Sequence, residues 1–374
     1  MKIGIPKETA PHERRVALVP ETVKKLAAKK IETVVQSGAG LASSFVDAEY
    51  EAAGAKVVAT YADVAAAADT IVQVARPSPE SLRDGTALVT LIYALSSPDY
   101  VKALAAKKIQ SIALEMIPRT TLAQAMDVLS SQANLAGYWA VVAAASRLPK
   151  IFPMLMTAAG TITPARVLIM GVGVAGLQAI GTAKRLGAIV EATDVRPETK
   201  EQVESLGGKF LMVTGVEYKQ GTGGYAAEQS DEYKKAQAAM ISAAIAKADA
   251  VITTALIPGR KAPTLVTAEQ VASMRPGSVI VDLAAEQGGN VVGTVPGEDA
   301  STPNGVTILG PISTASRVAF HASQAFSRNV EKLLLHLTAD GAWKINLDEE
   351  ITKGCVVTRE GEIVHAKVKE AAGK

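Results

Sequence analysis

The first 115 residues alternate between short apolar runs rich in β-branched residues and stretches whose apolar residues recur every three or four positions. The apolar runs predict strands at residues 2–5, 33–36, 70–74, 87–92 and 111–114. The amphipathic stretches predict helices at residues 21–29, 47–53, 61–67 and 98–106. Because strand and helix alternate, the pattern predicts a parallel sheet covered by helices on both faces.

A second series of strands and helices, residues 166–309, lies between two long helical patterns at about residues 127–146 and 315–337. After it, the segment CVVTREGEIVH alternates apolar and polar residues around a Glu-Gly pair, which predicts a β-hairpin. We therefore predict an α/β protein with two doubly wound parallel-sheet domains joined by the long helices. The first domain comprises residues 1–130 and 325–374, and the second domain, residues 131–324, is inserted into it.

The strongest chemical signal is the stretch ARVLIMGVGVAGLQAIGTAKRLGAIVEATDVR. It places Gly171, Gly173 and Gly176 in G-x-G-x-x-G spacing between an apolar strand pattern and a helical pattern. In a Rossmann-like domain these glycines allow a tight turn and close approach to a pyrophosphate, which the helix N-terminus binds. The next apolar run ends at Asp194, where a carboxylate binds ribose hydroxyls and repels a 2′-phosphate. The sequence therefore predicts NAD(H) binding, and Arg196 leaves NADP(H) as the alternative, since a nearby arginine accommodates that phosphate.

Composition and charge exclude several other classes of protein. The chain has 39 Lys and Arg against 37 Asp and Glu with no basic block, so we expect no nucleic-acid partner. Its single cysteine, Cys355, excludes a disulfide framework and a cysteine-rich metal centre, and we expect no metal site. The most apolar region, residues 151–180, is interrupted by Pro153, Pro164 and Arg166, so we expect no direct membrane insertion.

Three stretches resemble one known family: KIGIPKETAPHERRVALVPETVKKL, the glycine fingerprint, and RTTLAQAMDVLSSQANLAGY. They resemble the NAD(H)-binding domain (domain I, or alpha-1 subunit) of proton-translocating nicotinamide nucleotide transhydrogenase, which belongs to the alanine dehydrogenase/transhydrogenase family. The resemblance extends over essentially the whole chain, including the segments GGYA, ITTALIPG and CVVTREGEIVH.

The two branches of this family differ at the residues that carry acid/base chemistry. Arg15 matches the arginine that binds the substrate carboxylate in alanine dehydrogenases. Their catalytic lysine and histidine fall at positions that here read Ala75 and Tyr93. An alanine has no proton to exchange, and a tyrosine titrates only near pH ~10. The resemblance therefore favours transhydrogenase, in which hydride moves between two nicotinamides and catalysis requires alignment of the rings rather than a proton.

The resemblance also implies a set of site residues. A guanidinium, an amide, a carboxylate and a hydroxyl would hold the nicotinamide end of the nucleotide, and a tyrosine would lie near the tip of a loop, residues 215–235, that closes over it. These catalytic candidates are Arg119, Gln124, Asp127, Ser130 and Tyr225. The remaining nucleotide-binding candidates, besides the three glycines, are Val174, Ala175, Asp194, Val195, Arg196, Gly224, Gln237 and Leu256.

Partners and location follow from the same resemblance. It implies a homodimer that binds NAD(H), a partner subunit that holds NADP(H), and transmembrane subunits that carry the protons, with activity only in their presence. The chain would then be cytoplasmic, peripheral on a bacterial inner membrane through these partners. Two alternatives are an alanine dehydrogenase-like oxidoreductase, disfavoured by Ala75 and Tyr93, and a non-catalytic NAD-sensing module. A sensor of the adenine end would not need the candidates Arg119 to Ser130.

Overall fold

The computed structural model describes residues 1–213, 230–256 and 261–373, and the chain divides into two compact units. The first unit comprises Met1–Gln132 and Ala315–Lys374, and the second comprises Ala133–Thr314. The first unit thus resumes at Ala315 rather than at the expected residue 325. The reason is that serines beyond this point bond to the amino-terminal segment: Arg14 N donates to Ser316 Oγ at 2.9 Å, and Val16 N donates to Ser323 Oγ at 3.0 Å.

The helices and strands follow in chain order, beginning with the amino-terminal portion of the first unit and the helix that leads out of it: β1 Lys2–Ile5, α1 Pro20–Ala27, β2 Glu32–Gln36, α2 Asp47–Ala52, β3 Lys56–Val58, α3 Tyr61–Ala67, β4 Thr70–Ala75, β5 Ala87–Leu91, α4 Pro98–Ala106, β6 Gln110–Ala113 and α5 Val128–Arg147. The second unit contains β7 Leu155–Thr157, β8 Gly160–Ile162, β9 Arg166–Met170, α6 Val174–Arg185, β10 Ile189–Thr193, α7 Lys200–Ser205, β11 Lys209–Phe210, α8 Asp231–Lys247, β12 Ala250–Thr253, α9 Ala268–Ser273, β13 Val279–Asp282, β14 Asp299–Ser301 and β15 Thr307–Leu309. The first unit ends with α10 Ala319–His336, β16 Thr338–Ala339, β17 Ala342–Trp343, α11 Glu350–Cys355, β18 Val356–Arg359, β19 Glu362–Ile363 and α12 Ala366–Ala372.

The sheet of the first unit has the strand order β3-β2-β1-β4-β5-β6-β18-β19. The strands from β3 to β6 are parallel, as the alternating pattern predicts, and they have the doubly wound order in which the chain switches direction between β1 and β4. The predicted hairpin forms β18 and β19, but it adds to this sheet as an antiparallel edge. Ser111 Oγ and Thr358 Oγ1, 2.7 Å apart, join that edge to β6.

The sheet of the second unit has the order β11-β10-β9-β12-β13-β15-β14. The pairs from β11 to β15 are parallel, whereas β14 pairs antiparallel with β15. The central strand β9 lies between β10 and β12, with Val167 beside Val190 and Ala250. The switch point of this sheet, where doubly wound folds bind their ligands, is therefore at the carboxyl ends of β9 and β12.

Both sheets are buried on both faces because successive strand residues point in opposite directions. In β5, Leu88 packs into one apolar cluster of the first unit and its neighbour Val89 into the other. In β9, Val167 and Leu168 divide in the same way between the two clusters of the second unit. This double burial explains why the strands read as continuous apolar runs in the sequence.

Some short elements differ from the sequence prediction. The strand β3 and the helices α11 and α12 are not predicted, because each is too short for a clear hydrophobic period. The predicted helix 315–337 begins with a 3₁₀ turn at Thr314–Val318, so that α10 starts at Ala319. Among the described residues, no helix combines the length and apolar character that a membrane crossing requires.

Candidate nucleotide-binding site

The glycine fingerprint forms the turn between β9 and α6, as predicted. Gly171 adopts φ +101°, which favours glycine, and its N–H donates to Thr193 O at 2.9 Å. Gly176 lies against this turn, since a Cβ built on it would be 1.9 Å from the Gly171 carbonyl oxygen. The turn and the first part of α6 are therefore so close together that only glycine fits at position 176.

The middle glycine has a different environment. Gly173 is exposed, and a Cβ built on it would meet no heavy atom within 4 Å. It directly precedes the first turn of α6, where Val174 is exposed and Ala175 is half-buried. Open space at a helix N-terminus, with its free backbone N–H groups and positive dipole end, fits the pyrophosphate of a dinucleotide.

Asp194, directly after β10, is fixed by four hydrogen bonds. Its Oδ2 accepts from Val172 N at 2.6 Å and from Arg196 Nη2 at 3.1 Å. Its Oδ1 accepts from Arg196 N and Arg196 Nε, each at 2.9 Å. Burial opposes ionisation of this carboxyl, but the bonds from Arg196 and Val172 outweigh it and lower the pKa of Asp194. A charged carboxylate thus lies next to the fingerprint turn, with Val195 exposed beyond it.

The edge after β12 contains residues that the sequence did not identify. Thr254 Oγ1 donates to Gly171 O at 2.9 Å and so joins this edge to the fingerprint turn. The buried Asn290 accepts from Ala255 N at 3.0 Å and donates to Ala255 O at 2.9 Å. Its own N–H donates to the buried Asp282 at 2.7 Å. These contacts hold the segment that carries Leu256, which is exposed at this edge.

A sequence signal existed for Asp282 but not for Asn290. Like Asp194, Asp282 ends an apolar strand, so its carboxylate lies at the carboxyl edge of the sheet. The role of Asn290 depends on contacts with residues 27 and 35 positions away, which no local pattern indicates.

The remaining nucleotide-binding candidates of the second unit lie on or before α8. Gln237 is half-buried on this helix. Gly224 and Tyr225 lie outside the described residues. The carboxyl end of the expected loop 215–235 was placed too late, because α8 begins at Asp231, where Ser230 Oγ caps Tyr233 N at 3.1 Å. Acidic residues in the first turn favour this start, since they complement the helix dipole.

The candidates of the first unit follow the carboxyl end of β6. Arg119 and Gln124 are exposed. The segment that carries them is anchored to the core of the first unit by the buried side chains of Ala123 and Met126. Asn329 Nδ2 on α10 adds a hydrogen bond of 2.8 Å to the carbonyl of Ala125. The segment is therefore anchored while its polar side chains stay accessible.

Asp127 and Ser130 are bonded to each other at the start of α5. The carboxylate of Asp127 accepts from Ser130 N at 2.9 Å and from Ser130 Oγ at 2.6 Å. This is the geometry of a helix N-cap, which satisfies a backbone N–H of the first turn. The two side chains thus have a structural role in α5, whatever they bind in addition.

A cluster of ionisable side chains lies near the carboxyl end of β4 in the first sheet. Arg15 donates to Glu13 through Nε at 2.8 Å and Nη2 at 2.6 Å, and its Nη1 donates to Gln132 Oε1 at 2.9 Å. Burial disfavours the guanidinium charge, but the contact with Glu13 offsets this and raises the pKa of Arg15. Nearby, desolvation raises the pKa of Glu8 to about 8, although its carboxylate accepts a hydrogen bond from the amide of Ala75 at 3.2 Å.

This cluster bears on the chemistry of the first unit. Glu8, Glu13 and Gln132 were not identified from the sequence, because their roles depend on tertiary contacts. In the described part of the chain, no group of three or more His, Cys, Asp or Glu side chains could hold a metal ion. The positions that resemble the lysine and histidine of alanine dehydrogenases are Ala75, at the end of β4, and Tyr93, beyond β5.

Two family models match the chain: "Alanine dehydrogenase/PNT, N-terminal domain" over residues 4–136 and "Alanine dehydrogenase/PNT, C-terminal domain" over residues 140–366. The first part of the NAD(P) transhydrogenase subunit alpha of Rhodospirillum rubrum is 48% identical over 377 residues, covering 98% of each chain. The alanine dehydrogenase of Bacillus subtilis is 31% identical over 386 residues, covering 100% of this chain and 95% of that protein. The crystal structure of transhydrogenase from Sinorhizobium meliloti matches with a TM-score of 0.85 at 44% identity, covering 98% of this chain and 99% of the other.

Proposed function

Because the chain belongs to the alanine dehydrogenase/PNT family, we propose that it is the NAD(H)-binding subunit of a proton-translocating NAD(P) transhydrogenase. When bound here, NADH supplies a hydride to NADP⁺ on a partner subunit, so that one nicotinamide is oxidised and the other reduced. Transmembrane partner subunits couple this transfer to proton movement. The observation that carries NAD(H) binding is the carboxylate of Asp194, held by Val172 N and Arg196 beside the open space at Gly173.

The residues of the second unit fit NAD(H). The α6 N-terminus and the space at Gly173 would take the pyrophosphate, and Asp194 would accept hydrogen bonds from the adenosine ribose hydroxyls. Val174, Val195 and Leu256 are exposed around the carboxyl edge of the sheet and would supply apolar walls. These roles suit the side chains because a dinucleotide site needs few polar groups among apolar surface.

Ala75 and Tyr93 favour the transhydrogenase branch over the dehydrogenase branch. A dehydrogenase of amino acids must move protons as well as hydride, and so needs a general acid/base. Transfer between two nicotinamides needs none, and its rate depends on the alignment of the rings. The absence of proton chemistry at Ala75 therefore suits this reaction.

The nicotinamide end would be held by the segment after β6. Arg119 and Gln124 are accessible for the carboxamide or the pyrophosphate. Asp127 and Ser130, pre-ordered by their mutual hydrogen bonds, would bind the ribose. Such pre-ordering reduces the entropy lost when the ligand is bound.

We propose a homodimer, with the hairpin β7–β8 in its interface. Both strands of this hairpin are exposed, and Met156 is 79% exposed beside the exposed Leu155 and Ile162. A two-stranded hairpin alone is marginally stable in water, so a second copy of the chain would stabilise it.

Met156→Glu should shift the protein to monomer in sedimentation equilibrium, whereas Lys102→Glu on α4 should leave a dimer unchanged. A dimer that survives Met156→Glu would place the interface elsewhere.

Hydride transfer with a borrowed partner tests the function directly. Purified protein, NADH and the NADP(H)-binding domain of a known transhydrogenase should reduce bound NADP⁺ only when the three are mixed. Gln124→Ala should slow this transfer more than it weakens NADH binding, and Lys102→Ala should change neither.

A parallel assay separates the alternatives. Pyruvate with ammonium should not oxidise NADH, and turnover with these substrates would make the chain an alanine dehydrogenase. NADH binding without either activity would favour the non-catalytic sensor. Membrane association should likewise require the partner subunits, which flotation with and without them would measure.

A further inference from the structure

The arginine beyond β10 is bound by the acid that precedes it. Two bonds join the side chains of Arg196 and Asp194: Nε to Oδ1 at 2.9 Å and Nη2 to Oδ2 at 3.1 Å. Arg196 Nη2 also lies 3.3 Å from the carbonyl of Val172 in the fingerprint turn. The side chain of Asp194 is 6% exposed and that of Arg196 is 43% exposed. The guanidinium thus lies at the rim of the site, with the two N–H groups of its planar fork bonded to the carboxylate of Asp194.

These two side chains prefer opposite ligands. The adenosine ribose of NAD(H) carries a 2′-hydroxyl, which donates to a carboxylate, whereas that of NADP(H) carries a 2′-phosphate, which an arginine binds. Arginine binds phosphate best through two parallel N–H bonds from its planar fork. In this structure that fork is bound to Asp194.

Beyond the repulsion expected of any carboxylate at this position, we propose that Asp194 excludes NADP(H) by sequestering Arg196, which is otherwise a latent 2′-phosphate-binding residue. Loss of the carboxylate would release the guanidinium and open the site to NADP(H). This inference rests on the proposed binding of NAD(H) at the end of β10. Arg196 is here a specificity-determining residue and has no part in hydride transfer.

Local geometry keeps Arg196 within reach after such a change. The bond from Arg196 N to Asp194 Oδ1 turns the backbone here, and an asparagine oxygen can accept it equally. A neutral amide holds a guanidinium more weakly than a carboxylate does. Asp194→Asn should therefore preserve the turn while freeing the arginine. Its single oxygen cannot also accept from Val172 N, which in the wild type bonds to the other carboxylate oxygen, Oδ2. The contact with Asp194 also raises the pKa of Arg196, as expected for a stabilised ion pair.

Titration of NADH and NADPH, followed by nucleotide fluorescence, tests the proposal on the full chain. The wild type should bind NADH and bind NADPH weakly. Asp194→Asn should lower the Kd for NADPH at least about tenfold, because hydrogen bonds to a charged group are gained. The double variant Asp194→Asn with Arg196→Ala should lose this gain. Glu198→Gln is the matched control, because it removes a nearby exposed carboxylate that is not hydrogen-bonded to the guanidinium of Arg196. This substitution should change the Kd for NADPH less than about twofold.

Three results would overturn the proposal. Asp194→Asn could fail to gain NADPH affinity, or the double variant could keep the whole gain, in which case the carboxylate acts by repulsion alone. A wild type that binds NADPH as well as NADH would show that Arg196 is not sequestered. Should Asp194→Asn unfold, Asp194→Ser supplies a smaller acceptor for the same comparison. Absence of NADH binding to the folded wild type would instead refute the proposed function, which keeps the two failures distinct.

Discussion

Replacing Gly176 by alanine should destabilise the second unit and weaken NADH binding. The added Cβ would lie 1.9 Å from the Gly171 carbonyl oxygen and 2.9 Å from its carbonyl carbon, whereas real Cβ contacts essentially never fall below 3.0 Å. The fingerprint turn and α6 must therefore separate by roughly 1 Å, because both neighbouring atoms are backbone. Overpacking of this kind costs about 1–3 kcal/mol of unfolding free energy.

Gly181 on the same helix provides the matched control. A Cβ there would meet only Arg185 Nη1, at 3.6 Å, which is an ordinary contact. Gly181→Ala should therefore stabilise α6 by about 0.5–1 kcal/mol, since alanine loses less backbone entropy than glycine in a helix. The two substitutions make the same chemical change and should shift stability in opposite directions.

Urea unfolding followed by circular dichroism measures both shifts, and NADH fluorescence measures binding. Gly176→Ala should raise the Kd for NADH at least about tenfold, because the backbone N–H groups at the displaced N-terminus of α6 no longer lie within hydrogen-bonding distance of the pyrophosphate. Gly181→Ala should bind NADH as the wild type does. Wild-type stability in Gly176→Ala, or an equal loss in both variants, would refute the packing argument.

Three further predictions concern buried polar groups and a helix cap. Asn290→Ala should lower the unfolding free energy by about 1–3 kcal/mol, because groups of Ala255 and Pro263 lose their partner; a loss near zero in urea unfolding would contradict this. Glu8 has a folded pKa of about 8, above its ordinary value of 4.5, so the wild type should lose stability as pH rises from about 4.5 to 8. Glu8→Gln should reduce the fall in unfolding free energy over this pH window, measured by urea unfolding at several pH values. An unchanged pH dependence would exclude Glu8 as its source. Asp127→Ala should cost about 0.5–2 kcal/mol through loss of the α5 cap, whereas Asp127→Asn should retain most of that stability; equal thermal melting of the two would argue against the cap.

Local patterns were sufficient where each residue acts through its chain neighbours. The β9–turn–α6 unit was predicted because an apolar strand, three spaced glycines and a helical pattern adjoin in the sequence. The position of Asp194 at the carboxyl end of the next strand was predicted for the same reason, and its role in binding a nucleotide stays a prediction. The start of α5 near residue 127 was also predicted, and the structure adds that Asp127 caps it.

Other features were decided by distant contacts. The hairpin β18–β19 was predicted, but its antiparallel position beside β6 was not, because Val356 and Ile112 pair across most of the first unit's sequence. The ion pair of Arg15 with Glu13 is local, yet its burial depends on Gln132 and on the bond from Ser316 to Glu13. Likewise, Asn290 holds the segment before Leu256 through a bond to Ala255, which lies 35 residues earlier in the sequence.

By itself, the sequence determined the α/β class, the family and the fingerprint turn, because hydrophobic period and glycine spacing act over one strand and one helix. It also identified both members of the Asp194 and Arg196 pair. Only the tertiary structure decided that the guanidinium is bound to the carboxylate, and that Gly176 rather than Gly181 lies against backbone. Side-chain pairing and close packing depend on where whole elements lie in space, and no pattern along the chain records those distances.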